Sequence, residues 1–219
     1  MSGNKSSINQ YKHFRWLLVF VAVFIMYRFC ESLNKPRYYI ESSLDSHIPF
    51  IKGFIVPYLL WFVYIGFGFI YLGLKSKGDY YRLFIMMVPG LVICYLIYFF
   101  FPNGQNLRPV VTDDDIFSLL IRFIHRVDSP DNVCPSIHVF KSIVIHGGLV
   151  NSRPLRGNAL AVAASWVTMV SICASTVLIK QHSILDVIWG AVLGIVLFLL
   201  VYKVKLPLGR SIASPESES

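Results

Sequence analysis

Along most of this chain apolar residues fall in unbroken runs instead of alternating with polar ones. Phe14 to Phe29, Phe54 to Leu74, Leu83 to Phe101, Ala159 to Ile179 and Ile184 to Tyr202 carry few charges. Each approaches the roughly 20 residues that a helix needs to cross about 30 Å of hydrocarbon. A sixth run, Ile137 to Val150, is shorter and contains Lys141 and His146, which suits a helix enclosed by others better than one facing lipid. The pattern predicts an all-α, polytopic membrane protein, a six-transmembrane-helix bundle.

The polar intervals refine this picture. Lys5, Lys12 and Arg15 precede the first run as in a secretory signal, but Tyr27, Arg28, Phe29 and Cys30 stand where small cleavage residues belong, so the helix is expected to be retained. Glu31 to Lys52 mixes aromatics, charges, Pro36 and Pro49, as an interfacial loop or short surface helix would. Pro102 to Pro135 is the longest polar stretch, and long loops in compact proteins tend to carry function. Within it, Thr112 and Asp115 followed by Ile116, Phe117, Leu119, Leu120, Phe123, Ile124 and Val127 predict a short amphipathic helix lying flat on the bundle. A single membrane-embedded domain over 1–219 is expected, with loose ends at 1–10 and 213–219.

Composition agrees: 55% hydrophobic against 15% charged residues, with a mean hydropathy of +0.60, leaves too little polar surface for a water-soluble domain. The net charge of +8 forms no nucleic-acid patch, and no nucleic-acid partner is expected. Lys5, Lys12 and Arg15, then Lys75, Lys77 and Arg82, then Arg153 and Arg156, then Lys203, Lys205 and Arg210 share one side if six helices alternate. That side is cytoplasmic by the positive-inside rule. Lys35, Arg37, Lys52, Arg108, Arg122, Arg126 and Lys180 temper the bias from the other side. Short cytoplasmic loops fit a bacterial plasma membrane. Cys30, Cys94, Cys134 and Cys173 show no metal or disulfide-framework spacing, although Cys30 and Cys134 could meet outside the membrane. Asp113 to Asp115 invite a metal reading, but acids in a helix's first turn are already explained by its dipole.

Three segments carry chemistry, and alternation of six helices brings all three to one face, the non-cytoplasmic one. His182 and Asp186 are four apart at the head of a helix and so share a face. The carboxylate can fix the imidazole tautomer and stabilise the ring as it attacks phosphorus. Gly190 and Gly194 continue that face at a spacing that admits a close neighbour. Pro135, Ser136, Ile137 and His138 read as a helix N-terminus suited to phosphate, with His138 placed as general acid. Arg108 can grip phosphate oxygens bidentately, and Lys180 can add a second charge.

Together these segments resemble the three motifs of the type 2 phosphatidic acid phosphatase superfamily. Arg108-Pro109 answers the first, Pro135, Ser136 and His138 the second, and Ser175, His182 and Asp186 the third. The resemblance spans roughly Pro102 to Gly194. It implies that His182 attacks phosphorus to give a phosphohistidine, that His138 protonates the leaving group, and that Asp186 supports His182, with Arg108, Ser136, Ser175 and Lys180 binding phosphate. Neither a metal nor any other cofactor is implied. Two positions depart from the motifs: Phe101 stands for a lysine and Thr176 for an arginine. Lys180, four residues after Thr176, is the expected repair, projecting from the same helical face. The segment from Ser175 to His182 resembles a branch that includes the inositol phosphorylceramide synthases, some of which transfer the phospho-group to an alcohol.

The expected activity is therefore a lipid phosphatase acting on an isoprenyl diphosphate, phosphatidate or phosphatidylglycerophosphate at the extracytoplasmic face. A phosphotransferase with an alcohol or lipid acceptor is the alternative, and a non-catalytic lipid-phosphate binding or transport protein is the third reading. Oligomeric state is left open.

Overall fold

The computed structural model describes residues 11–33 and 35–203; the ends expected to be loose, together with Lys5, Lys205 and Arg210, lie outside the described residues. Among the described residues seven α-helices make up the fold: α1 (Val19–Leu33), continuing a 3-10 segment Lys12–Leu18, α2 (Ile55–Lys75), α3 (Lys77–Phe100), α4 (Ile116–Val127), α5 (Ile137–Val150), α6 (Ala159–Leu178) and α7 (Ile184–Tyr202). Five of the described segments are long and apolar enough to cross a membrane: Lys12–Ser32, Lys52–Lys75, Lys77–Phe100, Ala159–Leu178 and Ile184–Tyr202. The sixth, α5, has 14 residues, about 21 Å at 1.5 Å per residue, and falls short of the hydrocarbon thickness.

Helix α5 is enclosed instead of spanning alone. It packs against α2, α3, α6 and α7, and Phe140, Val144 and Ile145 along it are fully buried. Its two internal ionisable residues are accommodated by neighbouring helices: Lys141 lies over the Trp61 ring of α2 at 5.1 Å, a cation–π contact, and His146 Nδ1 lies 2.9 Å from Ser165 Oγ of α6. The Gly190 and Gly194 spacing does what it suggests, since a Cβ at Gly190 would lie 2.6 Å from the Ser136 carbonyl and one at Gly194 3.0 Å from Ile143. Only the missing side chains let α7 approach α5 this closely.

Boundaries differ from the sequence reading where caps override hydropathy. Helix α3 begins at Lys77, not at Leu83, because Ser76 accepts from the Asp79 amide (3.4 Å) and Asp79 also binds Arg82 (3.0 Å) and the Arg153 amide (2.9 Å). A polar first turn is thus as well paired as an apolar one. Helix α4 is capped by Asp115, whose Oδ1 accepts from the Ser118 amide at 3.0 Å, three residues after the expected Thr112. Asp113 and Asp115 pair with Lys52, and Asp114 with Arg122. Ser118, Ile121 and Ile124 turn inward, where the two isoleucines meet Ile55, Tyr58 and Ile179, while Ile116, Phe117, Leu119, Phe123 and Val127 stay exposed, as on a helix at a membrane interface. Between α1 and α2 there is no surface α-helix but a two-residue strand β1 (Tyr38–Tyr39), paired in parallel with β2 (Asn103–Gly104), and a 3-10 turn Ser43–Ser46. All four cysteines are free.

Candidate active site

The three sequence segments converge at one end of the bundle. Ser183 opens α7 and forms a capping box with Asp186, whose Oδ2 accepts the Ser183 amide at 2.9 Å. The same oxygen lies 3.2 Å from His182 Nδ1. An ionised carboxylate only accepts, so Nδ1 carries the proton and the lone pair of His182 sits on Nε2. That nitrogen is 3.3 Å from Nδ1 of His138, with the rings inclined at 60°. Both imidazoles and Asp186 are buried.

His138 is positioned by its own helix and by α2. Ser136 caps α5, accepting from the Val139 amide at 3.4 Å, and donates its own amide to the Asp186 carbonyl at 3.0 Å. The two helix starts are thereby joined. Trp61 donates to the His138 carbonyl (3.2 Å), and the rings of Tyr58 and Trp61 lie 4.8 and 4.3 Å from the imidazole. Two bulky aromatics leave the ring little freedom to turn.

Arg108 reaches the same place from the loop after α3. It donates from Nη1 to the Asp128 carbonyl (2.7 Å) and from Nη2 to Gln181 Oε1. Burial pulls its guanidinium below the ordinary arginine value, while Asp128 and Asp131 pull the other way. A recess of about 20 Å³ opens between Arg108, Asp128, Asp131, Asn132, Gln181, His138 and His182. The Cys134 thiol lies against Asp186, and burial together with that carboxylate pushes it up to about 12, keeping it a neutral thiol at neutral pH.

Not every sequence candidate arrives there. Helix α6 ends at Leu178 and Lys180 has φ +59°, so the helical projection expected from Thr176 does not exist. The Lys180 ammonium instead donates to the carbonyls of Asp45 and Ile48, both at 2.6 Å. Ser175 donates back to Ile172 O of its own helix (2.6 Å) and does not line the recess. Phe101 stacks on Tyr38 at 4.0 Å. Thr176 serves the turn, its carbonyl accepting from the Gln181 and His182 amides at 2.9 and 3.0 Å.

Several residues that frame the site were not evident in the sequence. Asp45 is buried at the start of α7, accepting from Ser183 Oγ (2.6 Å), the Ile184 amide (2.9 Å) and the Ser42 amide (2.8 Å), a negative charge where the helix dipole favours one. Asn103 fixes the approach to Pro135, donating to Cys134 O (2.9 Å) and accepting from the Val133 and Cys134 amides. Gln105 donates to the carbonyls of Lys180 (3.1 Å) and Gln181 (3.4 Å). Weak signals existed: Ser42 and Asp45 have capping-box spacing, and Gln181 abuts His182.

A family model described as the PAP2 superfamily matches residues 83–210, more than half of the chain, including Arg108, Ser136, His138, His182 and Asp186. Neither a curated protein nor a solved structure matches.

Proposed function

This chain belongs to the PAP2 superfamily, whose members are phosphatases or phosphotransferases, and from that premise we propose that it is an integral membrane lipid phosphatase working through a phosphohistidine at His182. The observation that carries the reading is the line Asp186–His182–His138, with separations of 3.2 and 3.3 Å, beside the half-buried guanidinium of Arg108.

The chemistry follows from the protons. Asp186 holds the Nδ1 proton, so His182 Nε2 attacks phosphorus with its lone pair as the bond to the leaving oxygen breaks. His138, protonated, gives its proton to that oxygen. Water then attacks the phosphohistidine, His138 takes its proton, and the bonding pair returns to Nε2. Arg108 and the α5 N-terminus stabilise the charge on the phosphoryl oxygens. Reacting atoms must approach to about 3–3.5 Å, so a phosphorus seated between the rings requires the two nitrogens to part from their present 3.3 Å. The substrate class proposed is a phosphate or diphosphate lipid whose tails remain in the bilayer, with its headgroup at the extracytoplasmic face.

Transfer to an acceptor alcohol is the second reading. It rests on the segment from Ser175 to His182, which resembles a branch with transferases among its members; with Phe101, Thr176 and Lys180 directed elsewhere, Arg108 is the one permanent cation at the recess among the described residues. The test is detergent-purified protein offered a panel of lipid mono- and diphosphates, with EDTA and with or without candidate alcohols. Free phosphate released by the parent and not by His182→Ala supports hydrolysis. A new phospholipid formed only with alcohol supports transfer. Neither product from folded protein contradicts both.

A further inference from the structure

Resting on the reading of the recess as a phosphate site, we propose that it takes its phosphate as a monoanion, gripped by Arg108 and by the neutral amides of Asn132 and Gln181, the motif lysine and arginine being replaced by Phe101 and Thr176. Three buried donors at the recess lack a hydrogen-bond partner among the described residues: Arg108 Nε, Asn132 Nδ2 and Gln181 Nε2. Asn132 is 7% exposed and Gln181 2%. A buried donor left unpaired is costly, and three around one recess suit a ligand with several acceptor oxygens.

The assignment of the Gln181 amide is chemically forced. A guanidinium can only donate, so the atom facing Arg108 Nη2 is Oε1, which leaves the NH₂ unpaired. Asn132 sits at φ +56°, a left-handed conformation that asparagine tolerates better than most residues.

Charge decides the ligand's form. Against the Arg108 guanidinium and the His138 imidazolium that the proposed reaction requires, the recess presents the carboxylates of Asp128 and Asp131, so no excess positive charge is left for a dianion, and Lys180 is held by the carbonyls of Asp45 and Ile48. A phosphate monoester carries about −1.5 to −2 at neutral pH, with its second pKa near 6; a diester carries a single charge. Two nearby carboxylates oppose the second charge, whereas amide donors bind oxygen without supplying the charge that a dianion needs. The shared chemistry is a singly charged phosphate, met either by a diester or by the monoprotonated form of a monoester, and not by the diphosphate lipids that the proposed function also admits.

The test uses full-length His182→Ala protein, which cannot turn ligand over by the proposed route, titrated with two short-chain lipids identical except at phosphorus: dihexanoyl phosphatidate and its methyl diester. At about pH 8 the diester is expected to bind about tenfold more tightly, and the gap to close towards pH 5 as the monoester protonates. Gln181→Glu in the same background keeps an acceptor for Arg108 but replaces the donor with a negative charge; it should weaken both lipids by about tenfold or more with the melting temperature kept. Asn132→Asp, which tolerates the same left-handed backbone and removes the donor, should weaken both by a similar factor. Equal or tighter binding of the monoester at pH 8, binding of both lipids indifferent to Gln181→Glu, or binding of neither would overturn the proposal. His182-dependent turnover by the parent is scored separately, so the phosphohistidine reading can survive a failed charge preference.

Discussion

Helix α5 carries two histidines, eight residues apart, and the molecule treats them differently. His146 lies in the middle of the bundle, bonded to Ser165, whose hydroxyl also lies 2.7 Å from Tyr64 OH. His138, at the helix start, faces the imidazole of His182 and a recess whose donors include three without partners among the described residues. Both rings lie among helices, His138 buried and His146 half-buried, so exposure does not mark the one that faces a ligand. The difference lies in what each is left to do: around His146 the polar groups are matched to one another, whereas around His138 the matching is incomplete and a guanidinium stands nearby. Paired polar groups inside a membrane protein hold helices together, and unpaired ones beside a charged group mark where a ligand completes the set.

The strongest test of that contrast is to remove each ring. His138→Ala is expected to lower the turnover number about 10²- to 10⁴-fold, the range for loss of a general acid–base; steady-state phosphate release measures it. A fall of less than tenfold would deny His138 the role of acid. Next in size is the frame of the site. Asp45→Ala leaves the Ser183 hydroxyl and the Ile184 amide unpaired, at a cost of about 2–3 kcal/mol, read from thermal unfolding in detergent. An unchanged melting temperature would mean that Asp45 does not hold the start of α7.

His146→Ala should cost about 1–2 kcal/mol for one lost hydrogen bond and a small void, while turnover stays within about twofold. A large loss of activity without loss of stability would erase the distinction between the two histidines. The smallest effect is expected at His125 on α4, lowered to about 4 by burial and then by the Arg108 charge. Its folded value lies below its unfolded one, so the unfolded chain binds the extra proton between about 6.5 and 4. Stability is full above about pH 6.5 and is lost as pH falls towards 4, by less than about 1 kcal/mol given the ring's partial exposure. His125→Gln should flatten that segment of the pH profile.

The same contrast explains what the sequence made legible. Hydropathy is read residue by residue, so the spans and the short α5 emerged within a few residues of their ends, apart from the polar first turns of α3, and the amphipathic α4 with them. The close approach of α7 to α5 was legible because two glycines at helical spacing have a single geometric use. The His182–Asp186 pair was legible for a related reason, both residues lying in one helical turn. Lys180 misled because its expected position assumed that α6 continued past Leu178, whereas the chain turns there. Asp45, Asn103, Gln105, Asn132 and Gln181 were hidden because their partners come from distant loops: Asp45 meets Ser183 from 138 residues away. Local spacing carries no record of such contacts.

The central claim is that His182 becomes covalently phosphorylated. It is tested most directly by mixing purified protein with a lipid substrate labelled in its phosphate, quenching within a turnover in alkali, and mapping the label. The account predicts an acid-labile, alkali-stable label on a peptide containing His182, absent from His182→Ala and persistent in His138→Ala wherever breakdown is slowed more than formation. Phosphate release by the parent with label on another residue, or undiminished release by His182→Ala, would contradict it.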